Sequence, residues 1–312
     1  MQASLVRLGR WLQSSGYRFT TVTPATHARV NGRPGAELAR NARDVFGWSR
    51  PFEASLLPDQ VVGWLREGDL LREEGRLLRS RLRFSSLGDT LYSHSAYPTA
   101  DPDAVFFGPD TYRFAALIEA VLTREPLPPA ARILDVGCGA GPGGIVAALR
   151  SEFGEPELVL ADINPAALVH AGANAELAEL ERVAFVQSDL YRAVQGEFDL
   201  IVANPPYLVD ASARTYRHGG GALGGGLSER IVAEGLPRLR PGGRLVLYTG
   251  ATIVDGQDPL FDALQSALRS CGWPFSYREL DPDVFGEELE ASAYRGTERI
   301  AAVALVVQRP AG

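Results

Sequence analysis

The stretch RILDVGCGAGPGGIVAAL, residues 132–149, reads as a short apolar strand, a glycine-dense turn and the start of a helix. Glycine lets backbone amides approach a ligand where a side chain would clash. Working outward, ELVLAD (157–162), VAFVQ (183–187), FDLIVAN (198–204), RLVLYTG (244–250), FSYREL (275–280) and IAAVALVV (300–307) are further short, mostly apolar runs. Helical stretches separate most of them, with Asn164 before Pro165 and Ser228 before ERIVAEGLPRL as candidate caps. That alternation predicts an α/β fold whose seven-stranded sheet is mostly parallel and carries helices on both faces. Only the acidic DPDVFGEELEASAYRGTER (281–299) joins the last two runs, so the final strand is expected to be antiparallel.

Taken alone, the glycine loop leaves two cofactor classes open. From Gly139 to Gly144 it satisfies the dinucleotide pattern G-x-G-x-x-G, and Asp162 at the end of the next strand suits a ribose in either class. Two features favour S-adenosyl-L-methionine. Asp135 precedes the first glycine, where a carboxylate suits a cationic amino group better than a pyrophosphate. Asp189, in QSDLY, offers a carboxylate where an adenine amino group would lie.

Asn204-Pro205-Pro206-Tyr207 follows the fourth strand. Two successive prolines stiffen the backbone and remove two amide donors, leaving carbonyls that only accept. A planar NH2 group here could donate one hydrogen to the Asn204 side-chain oxygen and the other to the Pro205 carbonyl, its lone pair then facing a methyl donor. Such a nitrogen is a weak nucleophile, and alignment supplies much of the rate, up to about 7–11 kcal/mol in the best intramolecular analogues. Tyr207 is expected to cover the planar group by stacking.

With these motifs, residues 101–312 resemble the class I S-adenosylmethionine-dependent methyltransferases, specifically the HemK-like group that modifies glutamine in protein release factors. The resemblance implies a Rossmann-like seven-stranded sheet and S-adenosyl-L-homocysteine as product. It further implies that Asp135, Gly137, Gly139, Gly141, Asp162, Ile163, Asp189, Leu190 and Asn204 surround the cofactor, while Asn204, Pro205, Pro206 and Tyr207 form the acceptor clamp. The segment FFGPDTYRF (106–114) matches a stretch that lies over the cofactor in that group, which carries over Thr111 and Tyr112.

Residues 1–100 read differently. They hold 14 Arg against 9 acidic residues, net +5, whereas residues 101–312 hold 17 against 29, net −12. Short helical patterns precede RLLRSRLRF, where Arg79, Arg81 and Arg83 alternate with apolar residues and are expected on one face of a strand. A helix followed by a basic hairpin predicts a winged-helix-like substrate-recognition domain over 1–100, the catalytic domain being 101–312. The proline-rich SAYPTADPDAVFFGP marks the boundary.

All 31 basic residues are arginine, and the absence of lysine excludes Schiff-base chemistry and a Walker-type phosphate loop. Cys138 and Cys271 lack a ligand cluster, arguing against zinc or a disulfide framework. No run is long enough to span a membrane, and Arg7 and Arg10 break any signal core, so a cytoplasmic protein is expected.

The acceptor expected is a protein glutamine. The alternatives are an exocyclic amine of adenine or guanine in RNA or DNA, met by the arginine face; a small-molecule amide, amine or guanidine; or a cofactor-binding adaptor without catalysis. Arg217 and His218, beside the glycine-rich HGGGALGGG (218–226), are candidate substrate contacts on a loop able to close over the site.

Overall fold

The computed structural model describes residues 1–98, 101–209, 219–221 and 223–312. Up to residue 98 the chain forms α1 (Gln2–Ser14), α2 (Pro24–Asn31), α3 (Ala42–Phe46) and α4 (Asp59–Glu67), then strands β1 (Leu71–Glu74), β2 (Leu77–Ser80), β3 (Leu82–Leu87) and β4 (Thr90–Ser95). Beyond it lie α5 (Pro109–Arg124), β5 (Arg132–Val136), α6 (Pro142–Leu149), β6 (Glu157–Asp162), α7 (Pro165–Leu177), β7 (Val183–Gln187) and β8 (Phe198–Ala203). The chain continues through α8 (Gly226–Gly235), β9 (Leu239–Val254), α9 (Pro259–Cys271), β10 (Phe275–Asp281) and β11 (Thr297–Gln308).

Contacts divide the chain into two compact units. The first holds Met1–Arg113, Gly139–Pro142 and Pro165–Glu181; the second holds Phe114–Cys138, Gly143–Asn164 and Arg182–Gly312. In the first, Leu5, Leu8 and Leu12 of α1 share a core with Val61, Val62 and Leu65 of α4 and Leu177 of α7. The helical spacing of these residues makes one apolar stripe per helix. Gly9 lies on that seam, where a Cβ would meet Leu177 at 2.4 Å.

Hairpin β1–β2 and hairpin β3–β4 form separate two-stranded sheets. This corrects the expectation of three arginines on one strand face. The chain changes partner at Arg81: Ser80 pairs with Leu71, whereas Leu82 pairs with Ser95. Arg79 pairs with Glu74 at 2.7 Å and bonds the Ser49 carbonyl, and exposed Arg81 donates to the Leu71 carbonyl at 2.9 Å. Arg83 is 4% exposed, lies over the Phe19 ring at 5.4 Å, and is pushed down to about 10 by burial.

The second unit carries the seven-stranded sheet, in the order β10-β11-β9-β8-β5-β6-β7. From β9 to β7 all pairings are parallel, and β11 is antiparallel to both β9 and β10. Ile133, Leu134, Leu200, Ile201, Val202 and Leu245 are fully buried, as central strands covered on both faces require. Helix boundaries follow local chemistry. At α9 the Asp258 side chain accepts from the Phe261 amide at 3.0 Å, Pro259 opens the helix, and Gly272 closes it at φ 64°. Ser228 is not a cap: α8 begins at Gly226, and the buried Ser228 hydroxyl bonds that of Thr249 at 2.8 Å.

Candidate active site

Parallel strands end on one edge, and their register fixes what meets there. Val136 is level with Ala161 and Ala203, and Asp162 with Gln187. Asp135, Asp162, Asp189 and Asn204 therefore stand at the carboxyl ends of β5, β6, β7 and β8. Backbone bonds extend the ladder into the loops, Cys138 N–H donating to the Ala161 carbonyl and Ser188 N–H to that of Asp162, each at 3.0 Å.

The turn after β5 takes positive φ at Gly137 (66°), Gly139 (53°) and Gly141 (82°), values that L side chains rarely adopt. A Cβ at Gly137 or Gly139 would meet nothing within 4 Å, so open space lies beside the backbone where a ligand can approach. Gly143 and Gly144 serve packing instead: Cβ atoms there would meet Phe114 at 2.4 Å and Leu160 at 2.7 Å. Asp135 is 1% exposed, and its Oδ2 accepts from the Gly144 amide in the first turn of α6 at 2.7 Å. Burial pushes its carboxyl up to about 7, the Gly144 bond opposes this, and neighbouring Asp162 adds to it. In the first unit, buried Asn174 donates to the Ala140 carbonyl at 2.9 Å and fixes the middle of the turn.

Asp162 is buried and accepts from the Asn164 amide at 2.8 Å, which shapes the entry to α7. Beside it, Ile163 is 51% exposed, an apolar surface at the strand end. Asp189 faces Arg230 of α8 at 3.5 Å and Arg192 at 3.7 Å. Leu190 holds φ 48° and packs on the sheet core. In the first unit, the buried Thr111 hydroxyl accepts from the Gly108 amide at 3.2 Å, and the Tyr112 hydroxyl accepts from the Thr21 amide at 3.0 Å. Arg217 and His218 lie outside the described residues.

The clamp motif leaves β8 with Asn204 half-buried, Pro205 buried and Pro206 half-buried. Tyr207 is 7% exposed. Its ring lies on Gly250 of β9, where a Cβ would come within 2.1 Å of Cδ2, and meets Phe285 edge-on at 5.9 Å. These two contacts fix where the ring stands at the end of β8. Gly250, Phe285 and Arg230 were not candidates from sequence. A glycine inside a strand is a recognised sign of close approach and could have flagged Gly250, which sits within β9; nothing local marks the other two.

Residues 115–254 match the family model of the methyltransferase small domain. A release factor glutamine methyltransferase of Deinococcus radiodurans is 33% identical over 207 residues, covering 63% of this chain and 69% of that protein. One from Yersinia pestis is 30% identical over 277 residues, 84% of this chain and 92% of its own length. The chain belongs to the release factor glutamine methyltransferase family. Like others of this family it is an S-adenosylmethionine-dependent methyltransferase, and the open glycine turn with carboxylates at successive strand ends fits that cofactor. Among solved structures, the M. jannaschii tRNA m1G37 methyltransferase shares the fold at 15% identity, with a TM-score of 0.50 over 74% of this chain and 55% of that one.

Proposed function

We propose that this methyltransferase modifies the side-chain nitrogen of a glutamine in a protein, a bacterial release factor being the acceptor its relatives' names point to. The observation that carries the reading is the Asn204-Pro205-Pro206-Tyr207 segment leaving β8 at the sheet edge that also holds Asp135, Asp162 and Asp189. The Asn204 oxygen and the Pro205 carbonyl each accept one amide hydrogen, so both hydrogens of a planar NH2 are held and its lone pair is left exposed. S-adenosyl-L-methionine supplies the methyl group.

Asp162 serves the ribose, Ile163 and Leu190 the adenine faces, and Asp189 the adenine amino group. The turn from Gly137 to Gly141 gives backbone access, and Thr111 and Tyr112 are assigned to the segment covering the cofactor. Asp135 organises the turn by anchoring α6, since its Oδ2 is engaged by Gly144. The nitrogen needs no strong base, because its proton becomes acidic once the methyl is attached.

A nucleic-acid acceptor has two supports, the net +5 of residues 1–100, which stands, and a face of three arginines. With Arg83 buried and Arg79 paired to Glu74, the second falls away. Among the described residues no helix is long and apolar enough to cross a membrane.

Radiolabelled S-adenosylmethionine offered with a purified bacterial release factor, total RNA or free glutamine tests the acceptor. Label is expected in the release factor, on a glutamine. Label in RNA alone, or in free glutamine at an equal rate, contradicts the proposal.

A further inference from the structure

Past Asn204 the chain leaves the sheet ladder, and Pro205 and Pro206 contribute no amide donors. The clamp therefore depends on neighbouring elements for its position. Two contacts come from the segment between β10 and β11, more than 70 residues downstream. The Val209 amide donates to the hydroxyl of Tyr294, a residue only 2% exposed, at 2.8 Å. Phe285 meets the Tyr207 ring at 5.9 Å with the planes 69° apart.

Phe285 does this from φ 55°, the left-handed region that bulky residues avoid. The residue after it, Gly286, is free of that restriction and does not take positive φ. A strained backbone beside a catalytic motif is where such strain tends to be functional. With Gly250 beneath the ring, Tyr207 is confined between β9 and Phe285.

We propose that Phe285 and Tyr294 are positioning residues for acceptor methylation, holding Tyr207 and Val209 so that the Asn204 oxygen and the Pro205 carbonyl are preset for the incoming NH2. Each acts through a neighbour, Phe285 through the Tyr207 ring and Tyr294 through the Val209 amide. The inference rests on the N-methyl-transfer reading of the clamp.

The test uses the full chain as wild type, Tyr294→Phe, Phe285→Gly and Phe285→Trp. Steady-state methylation of a bacterial release factor, calorimetric titration with S-adenosylmethionine, and amide hydrogen exchange are measured on each. Tyr294→Phe and Phe285→Gly are expected to lower kcat roughly 10- to 100-fold, as small misplacements in an active site do, while cofactor Kd stays within about twofold. Exchange should quicken at Leu208 and Val209 and not in β5 or β8. Phe285→Gly should lower Tm only modestly, because relief of the left-handed backbone partly offsets the lost half-buried ring and the freer unfolded chain, and Phe285→Trp should recover most of the turnover.

Wild-type kcat and unchanged exchange in both Tyr294→Phe and Phe285→Gly would overturn the proposal. So would parallel loss of cofactor affinity and turnover, the mark of general damage. A wild-type enzyme inert toward the release factor would instead count against the acceptor, and the exchange comparison would still decide the positioning.

Discussion

Asp135 carries a carboxyl that burial pushes up to about 7, against about 3.9 for an exposed aspartate. The folded protein therefore holds this proton more tightly than the unfolded chain. The resulting stabilisation is fully present below about pH 4 and is lost as pH rises through 7. Asp135→Asn keeps an oxygen for the Gly144 amide and removes the titration. Thermal melts of cofactor-free protein from pH 4 to 8 should show a smaller decline in Tm with rising pH for the variant; an identical slope would contradict the assignment. The strand-end position of Asp135 was legible in the sequence. Its bond to Gly144 was not, because that depends on how α6 folds back over the strand. Tyr207 shows the same limit: its place in the motif was plain, but its partners Gly250 and Phe285 lie more than 40 residues away.

At the scale of elements, the glycine-rich run after the clamp has a packing reason. A Cβ at Gly224 would lie 2.2 Å from the Tyr207 carbonyl oxygen, and one at Gly219 would lie 2.6 Å from that of Pro206. Backbone passes directly against backbone, with Gly219 N–H donating to the Leu208 carbonyl at 2.9 Å. Gly220, at φ 72°, has nothing within 4 Å of a Cβ, whereas Gly224, at φ 83°, does. Gly220→Ala and Gly224→Ala should therefore share a backbone penalty of about 1–2 kcal/mol. Only Gly224→Ala adds overpacking of roughly 1–3 kcal/mol and displaces the clamp. Urea unfolding and turnover on the pair check this; equal loss of activity in both would refute the packing role. From sequence the run reads as a glycine-rich loop able to close over the site, and composition does not reveal which backbone it faces. Strand periodicity served better: all seven runs became strands of one sheet, and the missing crossover helix before β11 correctly marked it antiparallel. The same periodicity failed at Arg79–Arg83, where alternation persists in sequence although the chain exchanges one partner strand for another at Arg81.

Across the whole molecule, legibility followed the chemistry. A parallel sheet must end its strands on one edge, so the glycine turn, the strand-end carboxylates and the Asn204-Pro205-Pro206-Tyr207 motif together mark a methyltransferase in the sequence alone. The first hundred residues offered no such constraint, and their surplus of positive charge pointed to partners without naming one. The central claim is that Asn204 grips the acceptor nitrogen and not the cofactor. The most direct measurement compares wild type with Asn204→Ala in single-turnover methylation of a release factor and in S-adenosylmethionine affinity. The methylation rate is expected to fall on the order of 10²- to 10³-fold, the scale of losing one preorganised hydrogen bond in the transition state, with cofactor affinity nearly unchanged. Equal loss of both, or an undiminished rate, would contradict it.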